Sequence, residues 1–393
     1  MDPMKVLHLT NSGTGGAYVA AQRISDSLKK IGHDSRVEVL SDKIYCGVNV
    51  SKLQAKIDFA NEKLSSAAMT TSITRSYSSS KSYLEDLSDI DVVNLHWVPG
   101  ILHQAFIDRV RDVNRVVWTM HDMNVFTGIC HHTSGCRRFE KSCQSCPQFT
   151  VPMIQVPAAV LRQKKRYIEQ LGIASFIAPS EWIKGEALAS DLLCEKSIDV
   201  VPNPTNNHLI ASKPKLMLKS RIGLRSDKPI FAILGANYGE QKGGRRALQE
   251  VIEFNSLTGM EIQVVILGEK FQMAEKIKVV STLDYPQIPF EDILQVCDLY
   301  IHLSEFENLP NIIIEAQSLG VPVLALDRGG VCETLLNGVT GLTMKNLSEF
   351  CGAMNWFFSA SLDDNFADEI RRFARNKFEQ TKIASDYLEI YSR

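Results

Sequence analysis

The stretch DLYIHLSEFENLPNIIIEAQSLGVPVLAL, residues 298–326, decides the fold. Asp298 to Leu303 is an apolar run of strand length, Ile312 to Leu319 repeats its apolar residues at helical spacing, and Pro322 to Ala325 is a second short apolar run. Strand, helix and strand in that order make a crossover unit, which sets parallel strands side by side under covering helices. The same rhythm runs outward: Pro229 to Gly235 reads as a strand, Gly244 to Glu253 as a helix and Glu261 to Gly268 as a strand. Toward the start, strands are expected at Lys5 to Thr10, Ser35 to Leu40, Val92 to Trp97, Val116 to Met120, Ser175 to Pro179 and Asp199 to Pro202. The fold class is α/β, with two Rossmann-like, doubly wound domains.

A chain of 393 residues is too long for one compact core. Val201-Pro202-Asn203-Pro204-Thr205-Asn206-Asn207 interrupts any regular element and marks the boundary. Expected domains are 1–203 and 204–375, with a terminal helix over 376–393 packing back on the first. Ser65 to Tyr83, dominated by Ser and Thr, reads as an irregular surface segment.

Composition excludes several classes. With 45% hydrophobic and 22% charged residues, 23 glycines and nine cysteines, the chain is not disordered, collagenous or a disulfide scaffold. No apolar run reaches the roughly 20 residues of a membrane span, and the start lacks the apolar core of a secretory signal, so the cytoplasm is the expected compartment. The net charge of −2 hides ten Lys and Arg against four Asp and Glu between residues 101 and 168. This run, from Arg109 to Arg166 and including Lys164 and Lys165, suits an anionic surface, although a solvated helix face is an equal reading. No nucleic-acid partner is expected.

Phosphate chemistry is suggested twice. Asn11-Ser12-Gly13-Thr14-Gly15-Gly16 follows the first strand, and Gly15 and Gly16 let backbone amides approach an anion at a helix start. Tyr18 stands where the dinucleotide fingerprint requires a third glycine, which argues against NAD; a plain βα turn also fits. In Ser304 to Ala316, Asn308 can cap the helix and Pro310 suits its first turn, so Glu307 lies in the loop and Glu315 two turns inside. Amides near Asn311 would take a pyrophosphate, with the two acids addressing opposite ends of a long ligand. Gly329 and Gly330 form another glycine loop at the carboxyl edge of the sheet.

These motifs together resemble the retaining nucleotide-sugar glycosyltransferases of glycosyltransferase family 4, whose fold is GT-B, two domains facing across a cleft. The carriers are the Gly13 to Ala17 loop, Glu307 and Glu315 spaced as E-x7-E, Ala316 to Val323, and Gly329-Gly330 with Glu333. Asn94 to Trp97, Thr119 to Asp122 and Phe126 to Cys130 resemble the subgroup that builds colanic acid and other bacterial surface polysaccharides. The resemblance implies that Glu315 binds ribose hydroxyls and that Glu307 meets the donor sugar. The amides of Asn308, Leu309 and Asn311 would hold the diphosphate, Lys242 would serve as the phosphate-binding lysine, and His121 would lie near the reacting carbon. Gly235-Ala236-Asn237 stands where the family has Gly-Arg, which removes one expected cation.

No catalytic metal is expected. Asp89-Ile90-Asp91 has D-x-D spacing but precedes a strand, at the wrong edge of the sheet for the ligand crevice. A satisfied turn is the alternative role for His121, while Trp97 suits stacking on a sugar acceptor and, equally, a core position. Cys130, Cys136, Cys143 and Cys146, with His131 and His132 beside the first, suit a structural zinc site; disulfides and free thiols are the alternatives.

The expected function is retaining transfer of a hexose from a nucleotide sugar, a UDP-sugar, onto a lipid-linked surface glycan, with peripheral contact to the inner face of the cytoplasmic membrane. The rivals are a sugar-nucleotide epimerase or hydrolase of the same fold and a non-catalytic glycan-binding scaffold.

Overall fold

The computed structural model describes residues 3–40, 86–99, 101–147, 156–205, 214–272, 277–359 and 364–393. The expected irregular segment Ser65 to Tyr83 lies outside them. The chain divides into two compact units, Met1–Asn203 with Thr381–Arg393, and Pro204–Gln380.

The first unit is built on a parallel sheet of β1 (Lys5–Thr10), β2 (Asp34–Val39), β3 (Val92–Leu95), β4 (Arg115–Thr119), β5 (Ser175–Ala178) and β6 (Ile198–Val200), in the order β2-β1-β3-β4-β5-β6. Its helices include α1 (Gly16–Lys30), α2 (Gln104–Val110), α3 (Val156–Leu171) and α4 (Glu181–Leu188). All four residues of β3 and of β5 are buried, as expected where helices cover both faces of a parallel sheet. In α1 the buried Ala20, Ala21, Ile24 and Leu28 recur at three- and four-residue spacing, which turns one stripe to the sheet.

The second unit carries β7 (Ile230–Leu234), β8 (Gln263–Leu267), β9 (Lys278–Ser281), β10 (Leu299–His302), β11 (Val323–Leu326) and β12 (Gly341–Met344), again all parallel, in the order β12-β11-β10-β7-β8-β9. Around them lie α5 (Lys215–Arg221), α6 (Gly244–Thr258), α7 (Phe290–Leu294), α8 (Asn311–Ser318), α9 (Phe350–Ser359) and α10 (Asp364–Phe378). The last helix, α11 (Gln380–Ser392), belongs to the first unit from Thr381 onward. Its Ile383, Ala384, Tyr387 and Ile390 are buried with Val6, Ile24, Leu28, Val92, Val117 and Ile177. Tyr391 Oη accepts a hydrogen bond from Asn94 Nδ2 at 2.7 Å.

In each sheet the strand order reverses once, between β1 and β3 in the first and between β7 and β10 in the second. At such a reversal the loops leave in opposite directions and open a crevice at the carboxyl ends of the strands, the usual place for a ligand in an open α/β sheet.

Candidate functional site

In the second unit, the loops after β7 and β10 meet at the reversal. Gly243 lies in the left-handed region at φ 72°, and a Cβ there would stand 1.9 Å from the Leu303 carbonyl oxygen, so only glycine permits this approach. Glu305 N donates to the Gln241 carbonyl at 3.0 Å and ties the loops together. Lys242, just before Gly243, places its ammonium 2.8 Å from Glu307 Oε1. The same carboxylate oxygen lies 3.0 Å from His302 Nε2, and His302 Nδ1 lies 2.7 Å from the Tyr300 hydroxyl. Burial alone would raise the Glu307 pKa; Lys242 and His302 outweigh it and hold the carboxyl at about 2. The result is a fixed anion beside a half-exposed ammonium.

The loop after β11 joins them, since Gly330 N donates to the Glu307 carbonyl at 3.3 Å. Glu315, inside α8, acts on the same neighbourhood. Burial pushes the Tyr300 hydroxyl well above its ordinary range, and the charges of Glu307 and Glu315 push it further. Burial and Glu315 likewise raise Tyr238, in the loop after β7. Lys242, Glu307, Glu315, Gly329 and Gly330 therefore gather at one sheet edge, with Asn308, Leu309 and Asn311 in the intervening loop and first helical position. One expectation is corrected: Pro310, not Asn308, is the N-cap of α8, and no side chain caps it. Pro310 already holds the extended backbone an N-cap needs, and α8 begins one residue later.

His302 and Tyr300 were missed by the sequence reading. They lie in a fully buried strand and pass for core; the signal was two hydrogen-bonding side chains in alternate register in an otherwise apolar run.

In the first unit, Gly15 caps α1 at φ 88° and Asn11 N donates to the Trp97 carbonyl at 2.7 Å, so the glycine loop and the end of β3 share one edge. There three rings form a string: His8 Nδ1 lies 2.8 Å from His96 Nε2, and His96 Nδ1 lies 2.8 Å from His121 Nε2. Burial lowers all three, His8 to about 3, His121 to about 4 and His96 well below its ordinary value. Asp122 accepts from Trp97 Nε1 at 3.1 Å and pairs with His131 Nδ1 at 2.7 Å, which fixes the indole. His8, inside β1, gave no sequence signal of its own.

Cys130, Cys136, Cys143 and Cys146 line one small, partly open pocket with Thr127, Phe139 and Pro157. Among the described residues, however, no three His, Cys, Asp or Glu side chains stand where one metal ion would bind them. Cys143 Sγ accepts from Gly128 N at 3.3 Å, and burial pushes the Cys143 thiol up and Cys130 up to about 12. None of the four is in a disulfide.

Lys164 also departs from expectation. It is buried rather than part of a basic surface, and its ammonium donates to the Asn124 side chain at 3.1 Å and to the carbonyls of Thr127 at 3.0 Å and Gly128 at 3.2 Å. Asp91 accepts from Lys5 N at 2.7 Å and Asp89 pairs with Lys5 Nζ at 3.0 Å, so the D-x-D pair closes the start of β1.

Residues 228–359, which carry the whole Lys242–Glu307 arrangement, match the family described as Glycosyl transferases group 1. This stretch is a group 1 glycosyl transferase domain. The chain is 26% identical over 253 residues to WcaC of Escherichia coli (strain K12), named for glycosyl transfer in colanic acid biosynthesis. That alignment covers 62% of this chain and 60% of WcaC, under two thirds of the relative's length. Among solved structures, HepE of Anabaena, crystallised with UDP, aligns at a TM-score of 0.63 and 17% identity over 99% of this chain and 100% of that one. Sucrose-phosphate synthase of Thermosynechococcus elongatus aligns at 0.66 and 14% identity over 99% and 98%. The chain has the GT-B fold, and the group 1 domain is its second parallel sheet with the loops just described.

Proposed function

We propose that the chain is a glycosyltransferase that moves a hexose from a UDP-sugar onto a growing lipid-linked surface polysaccharide, with retention at the anomeric carbon. The observation that carries this is the Lys242 ammonium held 2.8 Å from a buried, ionised Glu307 at the reversal point of the group 1 domain. The UDP held by HepE and the polysaccharide role in WcaC's name support the choice of donor and acceptor class.

In this reading Lys242, the amides of Asn308, Leu309 and Asn311 and the Gly329-Gly330 loop hold the diphosphate. Glu307 accepts hydrogen bonds from donor-sugar hydroxyls, and Glu315 from the ribose. As the bond from the anomeric carbon to phosphate breaks, negative charge grows on the leaving diphosphate, and donors already aimed there lower the barrier. One ammonium about 4 Å from that charge is worth about 4 kcal/mol at an effective dielectric near 20, before desolvation. The acceptor oxygen bonds to the anomeric carbon on the face the phosphate leaves, and its proton passes to the departing phosphate oxygen. No protein nucleophile takes part. His121 meets sugar in the first unit, beside the Gly15-Gly16 loop. Contact with an anionic membrane face rests on Arg162, Lys165 and Arg166 without Lys164.

The test is product analysis with a labelled UDP-hexose, with and without a glycan acceptor. Acceptor-dependent transfer giving the donor's own anomeric configuration is expected, with turnover lowered about a hundredfold in Lys242→Ala. Release of free sugar irrespective of acceptor, or an inverted product, contradicts the reading.

A further inference from the structure

The first unit contains a string of rings whose proton arrangement is decided by its buried end. His96 uses both nitrogens, toward His8 Nδ1 at 2.8 Å and toward His121 Nε2 at 2.8 Å. A neutral imidazole carries one N–H, so His96 donates in one of these bonds and accepts in the other. The string therefore has two senses.

If the protons point toward His8, then His8 must carry its own proton on Nε2. That atom is buried and has no partner among the described residues. An unpaired buried N–H is among the rarest and costliest defects in a folded protein. If the protons point the other way, His8 leaves only a bare lone pair at Nε2, a milder loss.

We propose that His8 and His96 are positioning residues that fix His121 as the tautomer with its proton on Nδ1 and its Nε2 lone pair committed to His96. His8 Nδ1–H donates to His96 Nε2, and His96 Nδ1–H donates to His121 Nε2. This arrangement opposes the intrinsic preference of a histidine ring for Nε2–H, so its presence is diagnostic. Among the described residues, the charged groups acting on the string are Lys29 near His8, which disfavours a cation there, and Asp122 near His121, whose pull is outweighed by burial. His121 thus remains neutral at pH 7. Resting on the reading of His121 as a sugar contact, the inference specifies its role: with its Nε2 lone pair committed to His96 and its proton on Nδ1, it does not act as the base for the incoming hydroxyl.

The experiment is long-range 1H–15N correlation on the full chain labelled with 15N-histidine, the three rings assigned by single substitution. Neutral rings protonated at Nδ1 are expected for His8, His96 and His121 from pH 6 to pH 8. Nε2–H at His121, or a cationic ring at pH 7, overturns the proposal. His96→Leu and His96→Asn extend it, because asparagine places an amide N–H where Nδ1–H stood and leucine places none. Leucine should return His121 toward the Nε2–H form and lower kcat about tenfold with little change in KM for the sugar nucleotide; asparagine should restore the Nδ1–H form and most of the rate. An unaltered His121 spectrum in His96→Leu counts against the positioning role. If the tautomers are as stated yet His121→Ala keeps full turnover, the string stands and the sugar-contact reading of His121 fails.

Discussion

Glu307 stays ionised although burial works against its charge, and its pH dependence follows with a definite sign. Its folded pKa of about 2 lies below the ordinary 4.5, so the stability it contributes is fully present above about pH 4.5 and is lost as the pH falls toward 2. The full extent is about 3 kcal/mol. Glu307→Gln keeps the shape without the charge. In denaturant unfolding, the stability gap between wild type and this variant should narrow steadily between pH 4.5 and pH 2; a constant gap would show that Lys242 and His302 do not hold the charge. The acid itself was legible from its loop after an apolar strand, but its partner His302 was not, because strand periodicity tells burial and not hydrogen bonding. Lys164 shows the reverse case. Leu161, Lys164, Ile168 and Leu171 share one stripe of α3 and are all buried, so helical spacing pointed inward while charge counting pointed outward. Four oxygen acceptors make that burial tolerable.

At the level of elements, the approach of two loops depends on one residue. Gly243→Ala would force a left-handed alanine against the Leu303 carbonyl, at a cost of about 2–5 kcal/mol. Thermal unfolding should fall accordingly, and nucleotide binding should weaken, because Lys242 is carried on the displaced loop. Full retention of both would mean the loops are less tightly joined than Gly243 implies. The terminal helix α11 offers a second check. Tyr391→Phe leaves Asn94 Nδ2 without its 2.7 Å partner in a buried place, so a loss of about 1–3 kcal/mol is expected in chemical denaturation; no change would contradict the bond. The strands that were read fall within a few residues of their places, because apolar run length and turn residues are local properties, whereas β9 and β12 were not read. The start of α8 was misassigned to an Asn308 cap, since Asn, Leu and Pro in succession permit more than one entry to a helix. The cysteine spacing suggested a zinc site; the four cysteines line one pocket, and spacing alone does not set the directions of their sulfur atoms.

Across the whole molecule, two parallel sheets each reverse strand order once, and each reversal gathers the polar residues that the adjoining apolar strands lack. In the first unit these are the glycine loop, Trp97 and the histidine string; in the second, Lys242, Glu307, Glu315 and the Gly329-Gly330 loop. The fold was legible because alternating strand and helix patterns survive without any knowledge of contacts. The central claim is that the second of these gatherings holds a nucleoside diphosphate through Lys242. Calorimetric titration of UDP into the full chain and into Lys242→Ala, with thermal unfolding to confirm that both are folded, tests it most directly. The account predicts one binding event per wild-type chain, weakened at least about tenfold in the variant, or about 1.4 kcal/mol. Absence of binding to the wild type, or equal affinity in the two, would contradict it.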